Sequence, residues 1–235
     1  MNLKNAPQKI KNDGLVNVIV ELSLIPDYSK IKLERLLEER YREEGKPLAK
    51  YVIKNRKSTS PVDENLYFFS NQIFKLKIEE NALLFNIVDN YPGWAEMSGF
   101  IRQVLAVMPE LHYNQVSVQF VSMFKDILIF DQLDGTIALP HIDKFIGSEL
   151  SFRYAHEEKG TGVALVDVKL VNNMVDPPKD NHFSVVDVKS FCNGNGQWTN
   201  EEMLSRLDLV HKVENRCFFS LMKEEFINSR EPIYE

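Results

Sequence analysis

The chain has 235 residues, 44% hydrophobic and 26% charged, with a net charge of −6, which is enough length for a sizeable core and an ordinary composition for a globular protein. No apolar run approaches the roughly 18 residues that cross a bilayer, and the opening MNLKNAPQKIKNDG has no apolar centre of the kind a signal peptide needs. Two cysteines, Cys192 and Cys217, rule out a disulfide framework and a four-sulfur zinc site, so a cytoplasmic protein is expected.

In chain order, LVNVIVELSLI (15–25) is rich in branched residues and predicts a first strand. Ile31, Leu33, Leu36, Leu37 and Tyr41 then follow helical spacing up to Gly45. Residues 54–65 read as a polar loop. LYFFS follows, and IFKLKIEEN with ALLFNIVDNY predicts a hairpin turning near Glu80-Asn81. After Pro92, Trp94, Met97, Ile101, Leu105 and Met108 share a helical face. VSVQFVSMF (116–124) and ILIF (127–130) predict strands.

Beyond Leu139-Pro140, ELSFRYAHEE and GVALVDVKLVN predict a hairpin around Lys159–Gly162. Pro177 and Pro178 keep 176–181 irregular. HFSVVDVKSF predicts a strand, NGNG (193–196) a turn, and Thr199 with Glu202 a capping box that opens a long closing helix. The expected fold is α+β: two fused antiparallel-sheet units with helices packed on one face. Residues 1–138 would form a strand-helix-strands-helix-strands unit, and 139–235 a three-stranded unit closed by the long helix.

Two patterns bear on chemistry. V-D-V-K occurs at Val166–Lys169 and again at Val186–Lys189. Asp167, Asp187 and Lys189 resemble the active-site signature of restriction-endonuclease-like nucleases, in which two carboxylates hold Mg2+ or Mn2+ and the lysine orients the attacking water. The competing reading puts Val166, Val168 and Leu170 inward and Asp167 and Lys169 outward on a solvated sheet face, with opposite charges paired across strands.

On the closing helix, His211 and Glu214 stand three apart, with Cys217 beside them. Metal ligation would need further ligands that the sequence does not offer. About 9 Å of helix separates Cys217 from His211, too far for proton transfer. Packing and hydrogen bonding are therefore the expected roles of His211 and Glu214, with no metal.

Charge is uneven along the chain. Residues 1–60 carry 13 Lys/Arg against 8 Asp/Glu, and the remainder 15 against 26. The basic segment with Lys46, Lys50, Lys54, Arg56 and Lys57, beside Tyr51, Tyr67, Phe68 and Phe69, is a candidate single-stranded nucleic-acid surface that the overall charge opposes.

The order of Asn5-Ala6-Pro7, Tyr91-Pro92-Gly93-Trp94, the V-x-V-x-F strand at 116–120, Val166-Asp167-Val168 and the closing LDLVHKVENRCFFSLMKEEF resembles a sporadically distributed bacterial family of about 250 residues with no established function. The resemblance implies that the late-strand aspartate and the C-terminal histidine are family features. By association with patchily distributed genes, it also implies a phage-defence or toxin–antitoxin setting. The chain departs from the family at Gln119-Phe120-Val121-Ser122, where members carry Arg-Tyr and then Asn. Together these observations lead us to expect a non-catalytic binding or accessory protein that acts through a protein partner, without a cofactor or a membrane. The alternatives are the metal-dependent nuclease and the nucleic-acid binder.

Overall fold

Alternation of branched apolar with polar residues makes strands that bury one face, and Leu15–Leu24 is a clear case. Val18, Val20, Leu22 and Leu24 are fully shielded while the residues between them stay partly open. The computed structural model describes residues 7, 9–10, 14–25, 30–43, 49–53, 66–71, 73–87, 90–135, 149–158, 162–176 and 181–233.

Its elements run β1 (Lys9–Ile10), β2 (Leu15–Leu24), α1 (Lys30–Glu43), β3 (Ala49–Ile53), β4 (Leu66–Ser70), β5 (Phe74–Ile78), β6 (Ala82–Ile87) and α2 (Trp94–Ala106). They continue with β7 (Tyr113–Lys125), a 3-10 turn (Ile129–Gln132), β8 (Glu149–Glu158), β9 (Gly162–Asp176), β10 (Asn181–Trp198), α3 (Asn200–Leu221), α4 (Glu224–Asn228) and β11 (Pro232–Ile233). The protein is α+β, as expected, with an antiparallel sheet and a long C-terminal helix.

Nine strands are hydrogen-bonded in the order β3-β4-β5-β6-β2-β7-β10-β9-β8, and β1 pairs separately with β11. Contacts group the chain into two compact units built from separate stretches. One comprises Met1–Val18, Val118–Cys192 and Leu207–Glu235, and the other Ile19–Ser117 and Asn193–Arg206. The division expected at 138/139 falls inside the stretch Val118–Cys192. Strands β2, β7 and β10 and helix α3, at 10, 13, 18 and 22 residues, are each long enough to contribute to both units.

In the unit containing Ile19–Ser117, β5 and β6 pair from Phe74 opposite Ile87 to Ile78 opposite Leu83. Phe100 of α2 stacks on Phe74 at 5.2 Å and meets Phe85 edge-on at 5.9 Å, so α2 covers their apolar face. In the other unit, Val166, Val168, Val186 and Val188 share the buried sheet face with Phe120, which stacks on His211 of α3 at 5.8 Å. The capping box forms as expected: Thr199 N–H donates to Glu202 Oε2 at 2.9 Å, and Glu202 N–H to Thr199 Oγ1 at 3.3 Å.

Two segments differ from the sequence expectation. NGNG is no turn, because β10 runs through it to Trp198. Gly194 lets the Trp198 indole lie against the strand, and a Cβ there would come within 2.6 Å of the ring. The expected strand at 127–130 is instead the 3-10 turn. Asp126, at φ 56°, turns the chain as β7 ends and donates its N–H to His182 O, while Ile127 O accepts from Ser184 Oγ and Phe130 N–H donates to Asn172 Oδ1. These partners take up the backbone groups that a strand ladder would use.

Gly194→Ala should destabilise the protein by about 1–3 kcal/mol through overpacking against the indole. Gly99→Ala, inside α2 where an added Cβ meets nothing within 4 Å, should stabilise it by about 0.5–1 kcal/mol. Urea unfolding midpoints of the two variants should therefore move in opposite directions.

Candidate functional site

The V-D-V-K repeat finds its explanation in the strand register. β9 and β10 run antiparallel with Val188 opposite Val168, which sets Asp187 opposite Lys169 and Lys189 opposite Asp167. Side chains alternate faces along a strand, so all four ionisable groups share the face opposite the buried valines. Each aspartate of one copy meets the lysine of the other.

The outer strands extend this arrangement. Arg153 of β8 stands opposite Asp167 and grips its carboxylate with two hydrogen bonds, one from Nε to Oδ1 and one from a terminal nitrogen to Oδ2 at 2.7 Å. Its guanidinium also lies 5.4 Å from the Phe191 ring. Gln119 of β7 donates Nε2–H to both oxygens of Asp187, at 2.8 and 3.0 Å. Lys169 pairs with Glu149 at 3.1 Å.

The Arg153 hydrogen bonds hold Asp167 below the usual carboxylate range. Asp187, more deeply placed, is pushed up by burial, against the opposing pull of Gln119 and the two lysines. Asp167, Asp187 and Lys189 are thus brought onto one face of adjacent strands. A divalent cation there would have to displace Arg153 from Asp167 and Gln119 from Asp187. Among the described residues, no three His, Cys, Asp or Glu side chains gather into a metal-ligating group.

On the opposite face, α3 lays His211, Glu214 and Cys217 against the sheet. Glu214 is 3% exposed, and burial raises its carboxyl well above the ordinary value. Tyr154 of β8 stands opposite Val166 on this buried face, beside Cys217. Burial lifts the Cys217 thiol to about 11 and lowers His211 to about 3. Each therefore rests in its neutral form near pH 7. Neither an imidazole that stays neutral nor a thiol that keeps its proton is matched to acid–base or nucleophilic work at that pH.

At the rim of the same helix, Glu158 accepts hydrogen bonds from Lys212 Nζ at 3.0 Å and Arg216 at 2.9 Å, and lies 3.3 Å from His156 Nε2. Led by Lys212 and then His156, these partners lower its carboxyl to about 2.

Of the basic segment, Lys50 falls on β3, whereas Lys46, Lys54, Arg56 and Lys57 lie outside the described residues. Tyr51 pairs with Phe68, Lys50 with Phe69 and Tyr67 with Val52 along the β3–β4 ladder. Sequence reasoning missed Arg153 as the partner of Asp167, because counting outward from a turn at Lys159–Gly162 sets Arg153 opposite Val168, one residue from the observed register in which Glu158 pairs with Gly162. It also missed Tyr154 beneath α3, for which no local signal exists.

No protein-family model matches this chain, and no curated protein matches it either.

The buried pair makes a pH prediction. Glu214 has a raised folded pKa, so its contribution is fully present below the unfolded value of 4.5 and is lost as pH rises toward the folded value. His211 has a lowered one, so its contribution is full above 6.5 and is lost as pH falls toward about 3. Glu214→Gln should therefore raise Tm more at pH 8 than at pH 5, and His211→Gln should flatten the loss of stability below pH 6.5. Thermal melts from pH 4 to 9 measure both slopes.

Proposed function

We propose that this protein is a non-catalytic binding or accessory component that acts in the cytoplasm through a protein partner. The observation that supports this reading is that both constellations with catalytic residue types are answered from within the chain. Asp167 is taken by Arg153 and Asp187 by Gln119. On α3, burial disfavours the charged forms of His211, Glu214 and Cys217. Active sites are where perturbed groups are poised near the working pH and open to a substrate, and here His211 and Cys217 are moved away from that range while Glu214 is shut off from solvent. The resemblance to a sporadic bacterial family supports a phage-defence or toxin–antitoxin setting for that partner.

Among the described residues no helix is long and apolar enough to cross a membrane. A sheet face whose charges alternate in sign suits a protein surface of matching polarity better than a polyanion, which wants a basic footprint.

The test sets this reading against the nuclease. Purified chain incubated with single- and double-stranded DNA and RNA, with Mg2+ or Mn2+, should show no cleavage above an Asp167→Asn/Asp187→Asn control. Binding to single-stranded oligonucleotides should be absent at about 50 mM salt, where phosphate-driven binding is strong. Metal-dependent cleavage lost in the control would replace the accessory reading with a nuclease. Salt-sensitive binding would replace it with a nucleic-acid binder.

A further inference from the structure

Strand β8 ends the sheet order, and among the described residues its ladder partner is β9 alone. A ten-residue edge without proline leaves one row of backbone N–H and C=O groups able to accept another strand. Its first five residues, Glu149-Leu150-Ser151-Phe152-Arg153, are also its most open stretch, and Phe152 is a large apolar side chain left 37% exposed at the edge.

Reversed against itself, this pentapeptide is complementary. An antiparallel second copy centred on Ser151 sets Glu149 opposite Arg153, Leu150 opposite Phe152 and Ser151 opposite Ser151. Antiparallel pairing keeps faces matched only when the register preserves alternation. Centring on Phe152 sets that ring on itself but leaves Glu149 opposite Ala155 and Arg153 opposite Ser151, with no opposite-charge pair. Centring on Arg153 places arginine on arginine and Glu149 on Glu157, and centring on Tyr154 places Phe152 on His156 and Leu150 on Glu158.

Glu149 and Arg153 have partners within the chain, Lys169 and Asp167, but remain 50% and 63% exposed, which leaves room for a second partner. We propose that β8 pairs with β8 of a second copy of this chain about a two-fold axis through Ser151. The interface is isologous, each copy supplying the same five residues. Opposite-charge and aromatic–aliphatic cross-strand pairs are the stabilising units of such a ladder. This inference rests on β8 alone and is independent of the proposed function.

Light scattering on the intact chain at about 100 µM, where a micromolar complex is populated, should give a dimer that dissociates on dilution. Ser151→Cys under mild oxidation should produce a disulfide-linked dimer, because residues directly opposite hold their Cβ atoms about 4.5–5.5 Å apart. Ala155→Cys, beyond the complementary stretch, should remain unlinked. The native Cys192 and Cys217 are buried and do not compete.

Glu149→Arg alone and Arg153→Glu alone should each weaken association at least tenfold, and their equimolar mixture should recover it as a heterodimer. Circular dichroism establishes that each variant is folded, and the Ser151→Cys result stands even where a charge variant is not. A wild-type monomer at that concentration overturns the proposal. So does a dimer that links through Ala155→Cys but not Ser151→Cys, or one indifferent to both charge reversals.

Discussion

The register between β9 and β10 is the constraint on which the arrangement of the first unit depends. With Val188 opposite Val168, every valine of both V-D-V-K copies enters the core and every ionisable group leaves it. A slip of one residue would turn one strand over against the other, placing an aspartate and a lysine beneath α3 and exposing two valines. Burying unpaired charges costs far more than any packing gain could offset. The repeat therefore selects its own pairing, and Arg153 and Gln119 secure it from the two flanking strands.

A second consequence concerns α3. Its apolar stripe needs a sheet face free of charge, and the register supplies one. On that face burial disfavours the charged forms of the few polar groups. It raises Glu214 and Cys217 and lowers His211, whose ring lies flat against Phe120. Outside it, Glu158 gathers Lys212 and Arg216 and ties the end of β8 to the solvent side of the helix. One helix thus has a charged flank that fixes its position and a neutral one that fills the core.

Much of this was legible in the sequence where the signal is local. The helix spacing of Leu33 and Leu37, the Thr199–Glu202 capping box and the hairpin turning near Glu80-Asn81 all depend on residues a few positions apart, and they appear as expected. Alternation along β9 and β10 makes a solvated V-D-V-K face legible as a pattern, but it does not name the partners on that face. Gln119 reaches Asp187 across 68 positions of sequence, and no periodicity encodes that distance. At NGNG turn propensity yields to tertiary packing, and β10 continues through it. Gly194 is there to make room for the Trp198 ring, a demand set by a residue four positions on whose placement the composition does not reveal. The 127–130 segment failed for a similar reason: β10 and Asn172 of β9 claim its backbone groups, and they lie some fifty residues ahead.

The sharing of β2, β7, β10 and α3 between both units has a consequence for how the chain can be made and altered. Neither unit is a contiguous piece of sequence, so no single cut releases one intact, and recombination at any one point would leave both incomplete. The first unit also needs the C-terminal half of α3, which is made after β10 and every strand before it. Its core therefore closes only once that helix has been made, through contacts distant in sequence, and topologies of that kind fold slowly. A truncation that removes the last turns of α3 takes away Phe218 and Phe219, and with them part of the lid over a sheet that has already been synthesised. Such a chain would present that uncovered apolar face to its surroundings, so termination within α3 should be as damaging as a break in the middle.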